Sequence, residues 1–306
     1  MALSLVMAAF RRAKAHIPVE TAQLKDRRWT ILVCLTWQYV HGICGKAAHY
    51  WHRPAPLLAD AGFALVPELG KSNFFVSEVL TAVLFASFFL WVLAPFYMTH
   101  RRYYTVVVLH RALLVLATCQ CLRVLSFLST ALPGPNYHCR EGSPLATLPR
   151  PRAWAEVLLL DVARQSGRGC GDLIFSSHTT FALVFVLSYQ RYGSNKAVKR
   201  LAWLTALTLS VLIVASRKHY TVDVVVAWYT VVLVFACVDR HFVDAADKPP
   251  PQSTTCCFED VLPCCVGARA PDMLRIAPAT PQASEMAKAR PDYDEERGLL
   301  ERNMSR

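Results

Sequence analysis

The sequence predicts an all-α, polytopic membrane protein with six transmembrane helices. Three observations predict it. The 306 residues are 54% hydrophobic, with a mean hydropathy of +0.29, above what a soluble domain carries. The apolar residues fall in runs near the ~20 residues that a bilayer core requires. The basic residues sit in short clusters between those runs, which places the net charge of +11 and pI near 9.2 on membrane flanks and argues against a nucleic-acid partner.

The elements follow in order. Residues 1–28 form an N-terminal segment: Met1 to Phe10 is apolar but has no basic n-region, and Arg11 and Arg12 stand where a cleavage site would lie, so no signal peptide is expected. Candidate spans are Trp29–Cys44, Phe74–Tyr97, Tyr104–Phe127, Leu173–Tyr189, Leu201–Ala215 and Thr221–Val238, with the fifth open to extension by a turn at either end. Trp29, Trp91, Tyr97, Tyr103, Tyr104, Tyr189 and Tyr192 lie near span ends, as interfacial anchors do. Residues 29–243 thus form the membrane domain, and 244–306, opening on Pro249-Pro250-Pro251, a disordered cytosolic tail.

Six spans put both termini on one side. The dense basic clusters Arg11/Arg12/Lys14, Lys25/Arg27/Arg28, Arg101/Arg102 and Lys196/Lys199/Arg200 share that side, which makes it cytosolic. The loops after the third and fifth spans then meet on the far face. The first of these, Thr130 to Asp172, is long and rich in proline, a length expected of functional or disordered loops. Cys139 and Cys170 lie in or beside it, and an oxidising compartment would allow them to pair; the pairing is left open.

Two stretches on that far face carry the chemistry. Cys170-Gly171-Asp172-Leu173-Ile174-Phe175-Ser176-Ser177-His178-Thr179 and His219-Tyr220-Thr221-Val222-Asp223 each set ionisable side chains at the edge of an apolar run, where they are costly to keep. The four-residue spacing of His219 and Asp223 stacks them on one helix face, so the carboxylate can fix the imidazole tautomer and leave the other nitrogen as a nucleophile. Ser176 or Ser177 can cap the fourth span, whose N-terminus favours an anionic oxygen, and His178 there suits proton transfer to a departing alcohol. Arg123, Arg217 and Lys218 offer positive charge to phosphate oxygens, with a salt bridge in the bundle as the alternative for Arg123 and headgroup anchoring for the other two. No HExxH or carboxylate cluster accompanies the histidines, so neither a metal nor another cofactor is expected.

These residues make a resemblance visible. The Cys170–Thr179 and His219–Asp223 stretches resemble the third and fourth motifs of the sphingomyelin synthase family, and most of the chain to about Val243 looks like the plant-type inositol phosphorylceramide synthases. His49-Tyr50-Trp51-His52-Arg53-Pro54, Leu122-Arg123-Val124 and Leu132-Pro133-Gly134-Pro135-Asn136-Tyr137-His138-Cys139 support it. The resemblance implies a bundle like that of the lipid phosphatases and phosphotransferases, a Golgi membrane and a lumenal site. It implies headgroup transfer from a glycerophospholipid to ceramide, with release of diacylglycerol. His178, His219 and Asp223 match the family's catalytic residues, with a phosphohistidine formed on His219 and a role for Asp172 in tuning His178.

Ser176-Ser177-His178 replaces the Ser-Gly-His of the animal enzymes, which points to phosphatidylinositol as donor. Sphingomyelin or ethanolamine-phosphorylceramide synthesis, lipid phosphate hydrolysis and a non-catalytic lipid-binding role are the alternatives. Hydrolysis is disfavoured because Pro-Ser-Gly-His is absent and Arg217 precedes His219 too closely for that family's signature. A homo-oligomer is left open. In the tail, Cys256-Cys257 and Cys264-Cys265 are candidates for palmitoylation, their adjacency being a poor match to zinc spacing.

Overall fold

The computed structural model describes residues 2–98, 103–149, 151–159 and 169–242. The expected tail, with Cys256, Cys257, Cys264 and Cys265, lies outside the described residues, as do Arg101 and Arg102. Among the described residues the protein is helical, with no strand. The helices are α1 (Ala2–Trp51), α2 (Ala61–Leu65), α3 (Phe75–Val92), α4 (Ala94–Tyr97), α5 (Thr105–Ser129), α6 (Trp154–Leu158), α7 (Ser177–Tyr192), α8 (Lys196–Ala215) and α9 (Thr221–His241).

Four of these, α3, α5, α8 and α9, are long and apolar enough to cross a membrane. The other two expected spans differ for separate reasons. Trp29–Cys44 is the middle of α1, a 50-residue helix; its polar flanks continue the helix on both sides, since intrinsic propensity there is good and Pro18 lies far from the apolar stretch. Leu173–Tyr189 does not begin as expected. Gly171 turns the chain at φ 92°, and Ser176 caps the helix by accepting from the Thr179 N–H at 3.3 Å. Helix α7 therefore starts at Ser177 and has 16 residues.

Helix α7 is the centre of the bundle and packs against α3, α5, α8 and α9. Leu183 and Val184 are fully buried, and Phe185 stacks on Phe88 of α3 with ring centroids 4.0 Å apart. Being covered by protein, α7 can carry polar side chains that a lipid-facing helix cannot, as buried Thr179, Thr180 and Ser188 show.

Successive long helices run in alternating directions, and each end of the bundle has its own polar tie. At one end Arg111 of α5 pairs with Asp239 of α9, which also meets Arg191 of α7 at 3.1 Å. Nearby, Glu20 of α1 accepts from the N–H groups of Thr105 and Val106 at 2.8 and 2.9 Å. That carboxylate satisfies two orphan donors at the start of α5, where the helix dipole favours negative charge. The opposite end gathers the C-termini of α1, α5 and α8 with the N-termini of α3, α7 and α9. All the histidine chemistry lies there.

Candidate active site

The segment Ala215–Tyr220 joins α8 to α9 through a tight bend in which Arg217 adopts φ 53°. A left-handed conformation costs a side-chain-bearing residue roughly 1 kcal/mol or more. Arg217 holds it through donation to the carbonyls of Phe63 and Val66 at 3.2 and 3.1 Å, with its guanidinium 4.2 Å from the Phe63 ring centre. The bend delivers His219 and starts α9 two residues later. Asp223, fully buried, accepts from the Tyr220 N–H at 3.0 Å and lies 3.2 Å from Nδ1 of His219. With Nδ1 facing a carboxylate it carries the proton, and Nε2 keeps a lone pair.

His178 stands in the first turn of α7. The Ser176 N–H donates to the Asp223 carbonyl at 3.1 Å, which locks the start of α7 to the start of α9. A second link closes the cluster from α3. Glu78 lies 3.3 Å from Nε2 of His178 and also pairs with the ammonium of Lys218, the neighbour of His219. His178, Glu78 and Lys218 thus form one polar group and His219 and Asp223 another, side by side because Lys218 and His219 are neighbours in the chain. Nδ1 of His178 is buried and has no hydrogen-bond partner among the described residues. Burial lowers the pKa of Lys218, and the Glu78 carboxylate opposes that effect.

Glu78 is the residue that sequence reasoning missed. Its signal was present as a lone carboxylate in the first turn of an otherwise apolar span. The expected partner of His178, Asp172, points elsewhere, and its carboxylate pairs with Arg123 at 2.9 Å. Arg123 itself is 2% exposed and is engaged by protein groups, as are Arg217 and Lys218, buried at 6% and 5%. The last two are therefore turned inward and do not anchor at headgroups. Ser177 is the first residue of α7, while Ser176 makes the cap.

A long loop roofs this end. A disulfide joins Cys139 to Cys170, so these sulfurs are not available as thiolate ligands beside His138. His52, fully buried at the end of α1, faces the Ala146 carbonyl at 2.9 Å through Nδ1 and accepts from the Gly134 N–H at 3.1 Å through Nε2. The Tyr220 hydroxyl donates to the Pro133 carbonyl at 3.0 Å. On the rim Glu68 accepts from the hydroxyl of Tyr137 at 2.6 Å and from Arg140 at 3.1 Å. These contacts hold its carboxyl below the ordinary range, Tyr137 contributing most.

Residues 169–241, which carry both histidine stretches, match the family model described as PAP2 superfamily C-terminal. Over 240 residues the chain is 51% identical to a rice (Oryza sativa subsp. indica) phosphatidylinositol:ceramide inositolphosphotransferase, covering 78% of this chain and 73% of the relative. Two proteins of Arabidopsis thaliana are 48% identical. Phosphatidylinositol:ceramide inositolphosphotransferase 3 aligns over 80% of this chain and 85% of its own length, and phosphatidylinositol:ceramide inositolphosphotransferase 2 over 78% of each. Identity of this order over 78–80% of the chain means that it belongs to the phosphatidylinositol:ceramide inositolphosphotransferase family.

Proposed function

We propose that the protein transfers phosphorylinositol from phosphatidylinositol to ceramide, yielding inositol phosphorylceramide and diacylglycerol. The observation that carries this is the His219–Asp223 pair, 3.2 Å apart at a buried helix start that is tied to the start of the His178 helix by the Ser176 N–H on the Asp223 carbonyl, in a chain of this family.

The first step forms a bond from Nε2 of His219 to phosphorus and breaks the phosphorus–oxygen bond to diacylglycerol, whose oxygen takes a proton from His178. Asp223 keeps the Nδ1 proton and balances the charge that grows on the ring. The second step reverses the roles. The primary hydroxyl of ceramide loses its proton to His178 as its oxygen bonds to phosphorus, and the phosphorus–nitrogen bond to His219 breaks. Glu78 orients His178 through Nε2. No step calls on a metal or other cofactor.

The membrane arrangement proposed is six crossings by α1, α3, α5, α7, α8 and α9, with both termini cytosolic and the histidine end in the Golgi lumen. The alternating helix directions support it, as does the Cys139–Cys170 disulfide on the histidine end, since disulfides persist in oxidising compartments. Self-association, disorder of the tail and its acylation at Cys256, Cys257, Cys264 and Cys265 remain proposals drawn from the sequence.

The test is a donor competition with purified protein and labelled ceramide. Phosphatidylinositol is expected to yield a more polar labelled lipid and an equal amount of diacylglycerol. Product from phosphatidylcholine or phosphatidylethanolamine alone would overturn the donor, and free inositol phosphate without a ceramide product would favour hydrolysis.

A further inference from the structure

We infer that Arg123 is a positioning residue for His178 and not a ligand of the substrate phosphate. The inference deepens the proposed function and rests on it for the role of His178. Arg123 lies in the last two turns of α5, 2% exposed. Its Nε–H donates to the Phe175 carbonyl at 2.5 Å. One terminal nitrogen donates to both the carbonyl and the carboxylate of Asp172, the latter at 2.9 Å. The other lies 2.8 Å from Nε2 of His41 on α1, and the Phe127 ring centre is 5.5 Å from the guanidinium carbon. All three nitrogens are thus engaged by the protein, and the fork spans a segment that ends three residues before His178.

That segment is held at both ends by other means, which isolates what Arg123 contributes. Cys170 is tied to Cys139. Gly171 runs against α1 so closely that a Cβ would stand 2.6 Å from the Ala48 carbonyl oxygen. Ser176 is bound to the Asp223 carbonyl at 3.1 Å. Between them, the carbonyls of Asp172 and Phe175 are satisfied by Arg123. The planar guanidinium reaches two carbonyls, a carboxylate and an imidazole at once; an ammonium, as a point charge, cannot span them. Charge alone therefore does not replace Arg123. A phosphate ligand would behave otherwise, since lysine binds phosphate well.

The experiment compares wild type, R123K and R123Q as full-length protein in mixed micelles, with kcat and KM measured separately for phosphatidylinositol and a short-chain fluorescent ceramide. Both variants are expected to lose about 100-fold in kcat, the order of effect of a displaced catalytic group, with KM for phosphatidylinositol within about twofold of wild type. Near-wild-type turnover by R123K, together with a KM raised about tenfold or more in R123Q, would establish a phosphate contact and overturn the inference. If the Arg123 variants fail to accumulate, D172N decides, since it removes one acceptor of the fork and keeps the backbone oxygen. A fall in its kcat at constant KM supports positioning, and an unchanged kcat overturns it. Product formation by the wild type tests the function itself, whereas the variant-to-wild-type ratios test Arg123 with whichever donor gives product.

Discussion

Glu78 and His178 form a carboxylate–imidazole pair between α3 and α7, 3.3 Å apart, and Asp223 and His219 form another on α9 at 3.2 Å. Each histidine thus has its own acid, but through opposite ring nitrogens: Nε2 on His178 and Nδ1 on His219. Among the described residues, the ring nitrogen that faces no carboxylate is Nδ1 on the first and Nε2 on the second. In the mechanism proposed above the first imidazole exchanges a proton and the second forms a bond.

Replacing Glu78 by Gln keeps the shape and removes the carboxylate charge that faces Nε2 of His178. Transfer is expected to fall by about 100-fold, within the range of lost general acid–base catalysis. Asp at the same position should recover part of it. Initial rates with fluorescent ceramide check both variants, and an unaltered rate in E78Q would remove Glu78 from the mechanism.

His219→Ala should abolish transfer, and Asp223→Asn should reduce it by about 1,000-fold or more through loss of the tautomer that frees Nε2. His178→Ala is expected to slow both steps. With headgroup-labelled phosphatidylinositol, rapid quench at alkaline pH should recover acid-labile label on wild-type protein and none on H219A. Equal label on both would place the nucleophile elsewhere.

The disulfide closes a loop whose ends are 31 residues apart, for which loss of the cross-link costs about 3–4 kcal/mol on the chain-entropy account. C139S and C170S should each melt earlier than wild type in detergent, and the double variant no earlier than either single one. Dithiothreitol should destabilise the wild type and leave the variants unchanged. Thermal unfolding by tryptophan fluorescence measures the set.

Glu68 supplies a pH dependence at the rim. Its folded pKa lies below the ordinary 4.5 because Tyr137 and Arg140 donate to the carboxylate. The stabilisation is therefore fully present above pH 4.5 and is lost as pH falls through the lower folded value. Hydrogen exchange in the loop around Tyr137 should rise over that acidic window in wild type. In E68Q the same loop should be looser at neutral pH and show little further change on acidification.

The pairing of His219 with Asp223 and the place of His178 at a helix start were legible because their signals are local: His219 and Asp223 stand one helical turn apart, and His178 follows a capping serine at the edge of an apolar run. Glu78 was not, since it meets His178 across 100 residues and nothing in its own neighbourhood announces a partner. Arg123 stood out as a charge among apolar residues, but its acceptors lie 49 and 52 residues away on a backbone turned toward α5. Sequence shows the charge and not the direction in which it points. The limits of α7 were misjudged for a related reason. Leu173, Ile174 and Phe175 are apolar enough for a span, yet the turn at Gly171 and the cap at Ser176 keep them out of the helix. Four spans were legible to within a turn or so at most ends, because lipid-facing helices must be apolar throughout, and α7, shielded by its neighbours, obeys no such rule.

A 16-residue helix rises about 24 Å, whereas the hydrocarbon layer is about 30 Å thick. In the six-crossing arrangement proposed above, α7 alone is shorter than that layer, which would set the histidine at its start deeper than the end of a full-length span. At such a depth a lipid alcohol arrives simply by diffusing in its own leaflet, while water has to leave bulk solvent to compete for the same phosphorus. In that arrangement the shortness of one helix would favour passing the headgroup from lipid to lipid over losing it to hydrolysis.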